Sequence, residues 1–181
     1  MKKIAIISIL LLFFNLTEAQ KYITKTGKVT FEASVPLFED VYAEDNSNVT
    51  VINISTGDIA SISQTKNFKF KVKLMEEHFN ENYAESSKYP KVTFTGKVLN
   101  FDVTKLTSSP QVFTIQGKLN FHGTTQNVTS QASVYFKDGN YIIKGEFKAK
   151  PADYKVIIPK MVTKKVAEIV NVEYQFNLSK Q

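Results

Sequence analysis

The sequence predicts an all-β domain with one short helix, built as an eight-stranded antiparallel barrel. Three observations carry that expectation. Apolar residues alternate with polar ones along most of the chain, the period of a strand with one oily face. The alternation is broken once, between Met75 and Pro90, where the period lengthens to that of a helix. The strand-like runs are near neighbours, without the repeated helices that parallel strands require. Closing such a sheet on itself removes its exposed edges, and a barrel of about eight strands can hold one small ligand.

The first segment, 1–19, reads as a secretory signal peptide. Lys2 and Lys3 form a charged start, Ile4 to Leu16 is apolar apart from Ser8 and Asn15, and Thr17-Glu18-Ala19 supplies small residues for a signal peptidase. The apolar run is short for a bilayer of about 30 Å, so cleavage before Gln20 is expected. No Cys is present to carry a lipid anchor. The domain then runs over 20–181. Val29, Phe31, Ala33 and Val35 alternate as a first strand. Val49–Ile54 is β-branched and fits a strand buried on both faces. Ser55-Thr56-Gly57-Asp58 is a turn cluster.

Phe68, Phe70, Val72 and Leu74 alternate with Lys69, Lys71 and Lys73, a strand with one apolar and one charged face. Met75, Phe79 and Tyr83 then fall four apart, one stripe of a short helix. Glu76 and Glu77 suit its positive end and Lys88 its negative end, and Pro90 closes it. Val92, Phe94, Gly96 and Val98 resume the alternation. Phe113, Ile115, Gly117, Leu119 and Phe121 form a long strand, or two bent at Gly117. Ser130, Ala132, Val134 and Phe136 lead into Asp138-Gly139, a strong hairpin signal, and Tyr141, Ile143, Gly145, Phe147 and Ala149 follow. In 152–167, Ile157-Ile158-Pro159 reads as a strand end and Thr163–Ala167 as a helical turn. Val170, Val172, Tyr174, Phe176 and Leu178 make the last strand.

Composition narrows function. Without 1–19 the chain keeps 21 lysines against 16 acidic residues, a net charge of +5, and has no Arg. Arg is the preferred residue for bidentate phosphate and base contacts, so nucleic acid is not an expected partner. The lysines alternate along strands, as a solvated outer face does; their sharper role is a weak attraction to anionic membrane surfaces. The absence of Cys removes thiol chemistry and disulfides and, for an exported chain, favours a bacterial envelope, periplasmic or secreted. Two histidines without Cys do not suggest zinc, and no metal or cofactor is expected.

Several of these segments together resemble a known family. They are Glu77-His78-Phe79 with Tyr83, Lys88-Tyr89-Pro90-Lys91-Val92-Thr93-Phe94-Thr95-Gly96, and Gly117-Lys118-Leu119-Asn120-Phe121-His122-Gly123-Thr124-Thr125-Gln126-Asn127-Val128. The late Asp153-Tyr154 with Ile157-Ile158-Pro159 completes the set. Their order is similar to that of the YceI-like proteins, polyisoprenoid-binding, lipocalin-like proteins of the bacterial envelope. The resemblance implies an eight-stranded antiparallel, lipocalin-like barrel with a helix near one end. It also implies a long isoprenoid or other amphiphilic chain held inside.

The candidate ligand lining is the inward aromatic set: Phe31, Phe68, Phe70, Phe94, Phe113, Phe121, Phe136, Phe147, Tyr174 and Phe176. Such rings also serve ordinary packing, and a closed barrel end must be filled. Twelve of the fourteen Phe follow the leader, more than one core needs, and flat apolar surfaces suit a flexible hydrocarbon. Met75, His78, Phe79 and Tyr83 are assigned to the mouth and helix, where a polar headgroup would rest near Tyr83, His78 or Lys88. His78 is expected to pack at a helix–barrel junction with its ring bonded to backbone, and His122 to end a strand. Glu77, Glu81 and Glu85 form one acidic row, read as a solvated face. The sequons at Asn48, Asn53 and Asn127 read as chance matches.

The expected function is therefore an exported binder of a lipid-like molecule, not an enzyme. One rival is a solid-barrel adaptor for another envelope protein, marked by a cavity too small for a chain. The other is a His-dependent hydrolase or isomerase, marked by a carboxylate or nucleophile converging on His78 in a pocket.

Overall fold

The computed structural model describes Gln20–Gln181; the expected leader, 1–19, lies outside the described residues. Eight antiparallel strands close into a barrel. They are β1 (Lys21–Glu32), β2 (Tyr42–Asn53), β3 (Asp58–Gln64), β5 (Lys91–Val98), β6 (Gln111–Phe121), β7 (Thr124–Lys137), β8 (Asn140–Ala149) and β9 (Val170–Lys180). Each strand pairs with the one before it around the wall, and β1 pairs with both β2 and β9 to complete the ring. A two-residue strand, β4 (Lys69–Phe70), adds to β2 at Ala43 and Glu44, on the side that β3 occupies further along. One helix, α1 (Lys73–His78), runs into a turn of π-helix over Phe79–Tyr83.

The expected alternating run Phe68–Leu74 is thus not one strand. The wall strand is β3, whose Ile59, Ser61 and Ser63 face inward with too little apolar content to stand out in the sequence. After Phe70 the chain leaves the sheet, so Leu74 lies on the helix and is exposed. β2 alternates instead of burying both faces: Thr50 and Ile52 are fully buried, Val49 and Val51 half-buried. β6 is one unbroken strand through Gly117. The 152–167 stretch holds a 3-10 turn at Pro151–Tyr154 and then open turns, without the expected strand end or helical turn.

Two hairpins are set by two-residue loops with positive φ at both central residues, the primed turn geometry. One is Asp138-Gly139 (51° and 81°), as the sequence suggests; the other is His122-Gly123 (49° and 70°). Gly96 and Gly117 face each other across β5 and β6. A Cβ on Gly117 would stand 2.3 Å from the Thr95 carbonyl and 2.6 Å from Phe94 Cζ. The absent side chains let the Phe94 ring lie flat on the wall.

The two barrel ends differ. At one end Ile52, Val98, Val134, Ile143 and Leu178 are fully buried, and the β5–β6 connection lays Phe101, Val103 and Leu106 across them. Fully burying a side chain of this kind contributes about 1.5–3 kcal/mol. Phe113 and Phe136 belong to this plug. Phe113 meets Phe101 at 5.7 Å between centroids, and Phe136 meets Tyr141 at 4.8 Å. At the other end the barrel stays open beneath α1 and the loops 33–41 and 155–169.

Candidate functional site: an apolar barrel cavity

The open half of the barrel encloses a cavity of about 560 Å³, within the range of small-molecule sites. Its wall follows from strand alternation. Phe31 on β1, Phe94 on β5, Phe121 on β6, Phe147 on β8, and Tyr174 and Phe176 on β9 all point inward, joined by Phe68 and Phe70 at β4. Two candidates from the aromatic set, Phe113 and Phe136, do not reach it, because the closed end takes them. Period two assigns a face but not a depth along the barrel. Aliphatic side chains complete the wall: Val29, Val92, Leu119, Val128, Val170 and Val172. Sequence reasoning passed over them in favour of the aromatics, although the same alternation marks most of them. The loop residues Val156, Ile158 and Val162 also line it. No period marks them.

The mouth is set by the helix. Met75, His78, Phe79 and Tyr83 all border the cavity. Phe79 is wedged among Phe31, Phe70 and Phe68, with centroids 5.3, 5.2 and 6.1 Å away. The N-cap residue, Val72, offers no side-chain hydrogen bond, so tertiary contacts hold the helix. Glu76 supplies one. It is buried, accepting from Lys69 Nζ at 2.8 Å and from the Phe70 backbone N–H at 3.2 Å. The Lys69 ammonium first, then the backbone donor, hold its carboxyl below the usual carboxylate range against the opposing effect of burial.

His122 supplies the second tether. Its Nδ1 lies 3.0 Å from the Tyr154 carbonyl and must donate to it, and its Nε2 lies 2.6 Å from Glu85 Oε2. Tyr89 packs edge-on against the ring at 4.6 Å. The helix exit, the β6–β7 hairpin and the Pro151–Tyr154 turn are thus joined. Glu85 has left the acidic row: it lies past the helix with φ of 44°, while Glu77 and Glu81 remain exposed. His78 does not bond backbone as expected; it is exposed at the rim. The carboxylate that meets a histidine meets His122, which does not line the cavity. Lys88 stands 4.9 Å above the Tyr89 ring, away from the lining.

Polar groups on the wall are paired with one another. Asn48 donates to Ser61 and Ser63, both at 2.9 Å, and accepts from Thr50 at 2.6 Å. A buried amide saturated in this way is closed to glycosylation, so its sequon is fortuitous. Tyr174 Oη meets Ser130 Oγ at 2.8 Å, and Ser130 donates to the Glu146 carbonyl at 2.7 Å. Burial raises the Tyr174 phenol, with the Ser130 bond acting the other way. That hydroxyl reaches Ser130 across Gly145, where a Cβ would sit 2.3 Å from it. The cavity therefore offers an apolar lumen in which Asn48, Ser61, Ser63, Ser130 and Tyr174 are already bonded within the wall, suited to a hydrocarbon that brings no hydrogen bonds. Among the described residues no group of three or more His, Asp or Glu is placed to hold a metal ion.

Known proteins share this arrangement. A polyisoprenoid binding domain from Saccharophagus degradans, implicated in plant cell wall breakdown, superposes with a TM-score of 0.77 at 14% identity, covering 91% of this chain and all of that one. BcnA from Burkholderia cenocepacia gives 0.69 at 15% identity, covering 84% and 96%. A YCEI protein from Campylobacter jejuni gives 0.52 at 18%, covering 72% and 80%. At these identities the likeness is one of fold. No curated protein matches the chain. The model of the YceI-like domain matches residues 14–178, nearly the whole length; with the closed eight-stranded barrel and its mouth helix in place, the chain belongs to the YceI-like family.

Proposed function

We propose that this protein is an exported carrier that holds an isoprenoid-like or other amphiphilic chain in the barrel, without catalysing a reaction on it. The cavity carries this reading. A lumen of about 560 Å³ lined by nine Phe and three Tyr rings is a costly omission from a core that had merely to be packed. Each methylene moved from water into it is worth roughly 0.8 kcal/mol. The headgroup stays at the mouth, beside Tyr83 and the exposed ring of His78. Family membership and the fold shared with a polyisoprenoid binding domain support the same reading. A solid-barrel adaptor would not leave such a space, and a His-dependent hydrolase would place a carboxylate on His78, whereas Glu85 pairs with His122.

Native mass spectrometry of protein purified from its own envelope tests the proposal. An adduct of an amphiphilic chain is expected, and Leu119→Trp with Val128→Trp should remove it by filling the lumen. Protein that carries no adduct and binds no hydrophobic fluorescent probe would return the barrel to a scaffold role.

A further inference from the structure

The rim of the cavity carries large apolar side chains that cover nothing. Ile157 is 81% exposed, Met161 90% and Leu37 101%. Ile157 and Met161 lie on the loop whose Val156, Ile158 and Val162 face the cavity. The loop therefore sends one apolar set into the lumen and leaves a second bare. Between Asp153 and Glu168 it also bears Lys155, Lys160, Lys164 and Lys165 and no acidic residue, all four lysines exposed. Leu37 stands on the neighbouring loop, tied to this one by the Ala167 N–H donating to the Ala33 carbonyl at 2.8 Å. It occupies the third position of a turn closed by Phe38 N–H to the Val35 carbonyl, with φ of 71°. A bulky residue rarely takes that conformation, and here no contact with the rest of the protein rewards it.

We propose that this rim, led by the 155–167 loop, is a docking surface for an anionic lipid bilayer. The apolar side chains are single projecting tips, a form suited to wedging into the boundary between headgroups and acyl chains. The lysines among them complement anionic headgroups. The surface adjoins the mouth, so docking sets the cavity against the layer from which a lipid-like chain is drawn. Glu39 and Asp40 beside Leu37, Glu77 on α1 and Glu81 on the π-helical turn after it mark the part of the rim that anionic headgroups repel. The barrel thus docks tilted onto the lysine loop.

The test is cosedimentation of the mature protein with vesicles of phosphatidylcholine, with and without phosphatidylglycerol. Binding is expected on the anionic vesicles and should weaken with salt. Lys160→Gln with Lys164→Gln should lower the affinity about 25-fold, at roughly 1 kcal/mol or about fivefold for each lysine. Ile157→Ser with Met161→Ser should lower it again. The chain has no Trp, so Met161→Trp supplies a lone indole, excited apart from the tyrosines, whose emission should shift to the blue on anionic vesicles alone. Leu119→Trp with Val128→Trp, which fills the lumen, should dock on the anionic vesicles as the parent does, so failure of the docking surface and failure of the carrier reading are distinct. Equal binding to neutral and anionic vesicles, or lysine and tip variants that bind as the parent does, would overturn the proposal. So would a concentration-dependent dimer abolished by Met161→Ser, which would assign the tips to a second copy.

Discussion

Replacing Phe79 with Ala should loosen the mouth while sparing the barrel. Six α-helical residues and one π-turn are too few to stand unaided in water, so the helix keeps its place through contacts, of which Phe79 makes three with other rings. The side chain is half-buried, which puts the lost transfer energy near half of the full value for Phe, about 1–1.5 kcal/mol. Three ring pairs at the low end of about 0.5 kcal/mol each add a similar amount. The sum, about 3 kcal/mol, is the lower end of typical Phe→Ala costs. The barrel's hydrogen bonds do not pass through this ring, so the loss should appear as local opening. Native-state hydrogen exchange should show amides of 76–84 losing protection by about 10²-fold, with those of Val134 and Ile143 unchanged. A hydrophobic probe should leave the cavity correspondingly faster. A uniform fall in protection throughout the barrel, or an unchanged probe release rate, would refute the view of the helix as a separately tethered cap.

Other outcomes follow from the same geometry. Phe70→Lys places a charge among Phe31, Phe79 and the lumen and should cost about 2 kcal/mol or more in denaturant unfolding as well as abolishing probe binding, whereas exposed Lys71→Ala should stay within about 0.5 kcal/mol. Gly145→Ala should push the Tyr174 hydroxyl off Ser130 and cost about 1–3 kcal/mol, read as a lowered melting temperature. Glu76 has a depressed carboxyl, so its contribution is full above the unfolded value of about 4.3 and fades as pH falls through the lower folded one. Exchange protection of the helix should drop over that acid range, and Glu76→Gln should flatten the profile. Protein recovered from its own envelope should give an intact mass beginning at Gln20; a retained Met1 in the membrane fraction would contradict the leader reading.

Much of the wall was legible because strand alternation is a local property. Phe94, Phe121, Phe147, Tyr174 and Phe176 each sit in runs of period two, and each faces inward. Depth was not legible: Phe113 and Phe121 share a face of one strand, yet one plugs the closed end and the other lines the cavity, and the difference depends on where the β5–β6 connection folds. β3 escaped notice because Ser61 and Ser63 occupy inward positions, and their suitability depends on Asn48, thirteen and fifteen residues earlier. The break at Val72 was hidden because Leu74 continues the strand period by chance. The Glu85–His122 pair spans 37 residues, and no spacing rule announces it.

The ring closure of β1 has a consequence for the order of assembly. β1 meets β2 across a short connection, but its other neighbour is β9, so that Tyr22 lies opposite Lys180. Every other pairing in the wall joins successive wall strands, across far shorter connections than the one from β1 to β9, and the entropy of joining chain ends grows with the length between them. Loop-closure entropy thus favours forming the meander piecewise and closing the β1–β9 seam last, with the last eleven residues of regular structure. Val172, Tyr174 and Phe176 on that strand are also wall of the lumen. Until it docks there is no enclosed cavity, merely a curled sheet with an oily concave face. A long hydrocarbon present at that moment need not thread the mouth, because the barrel can shut around it.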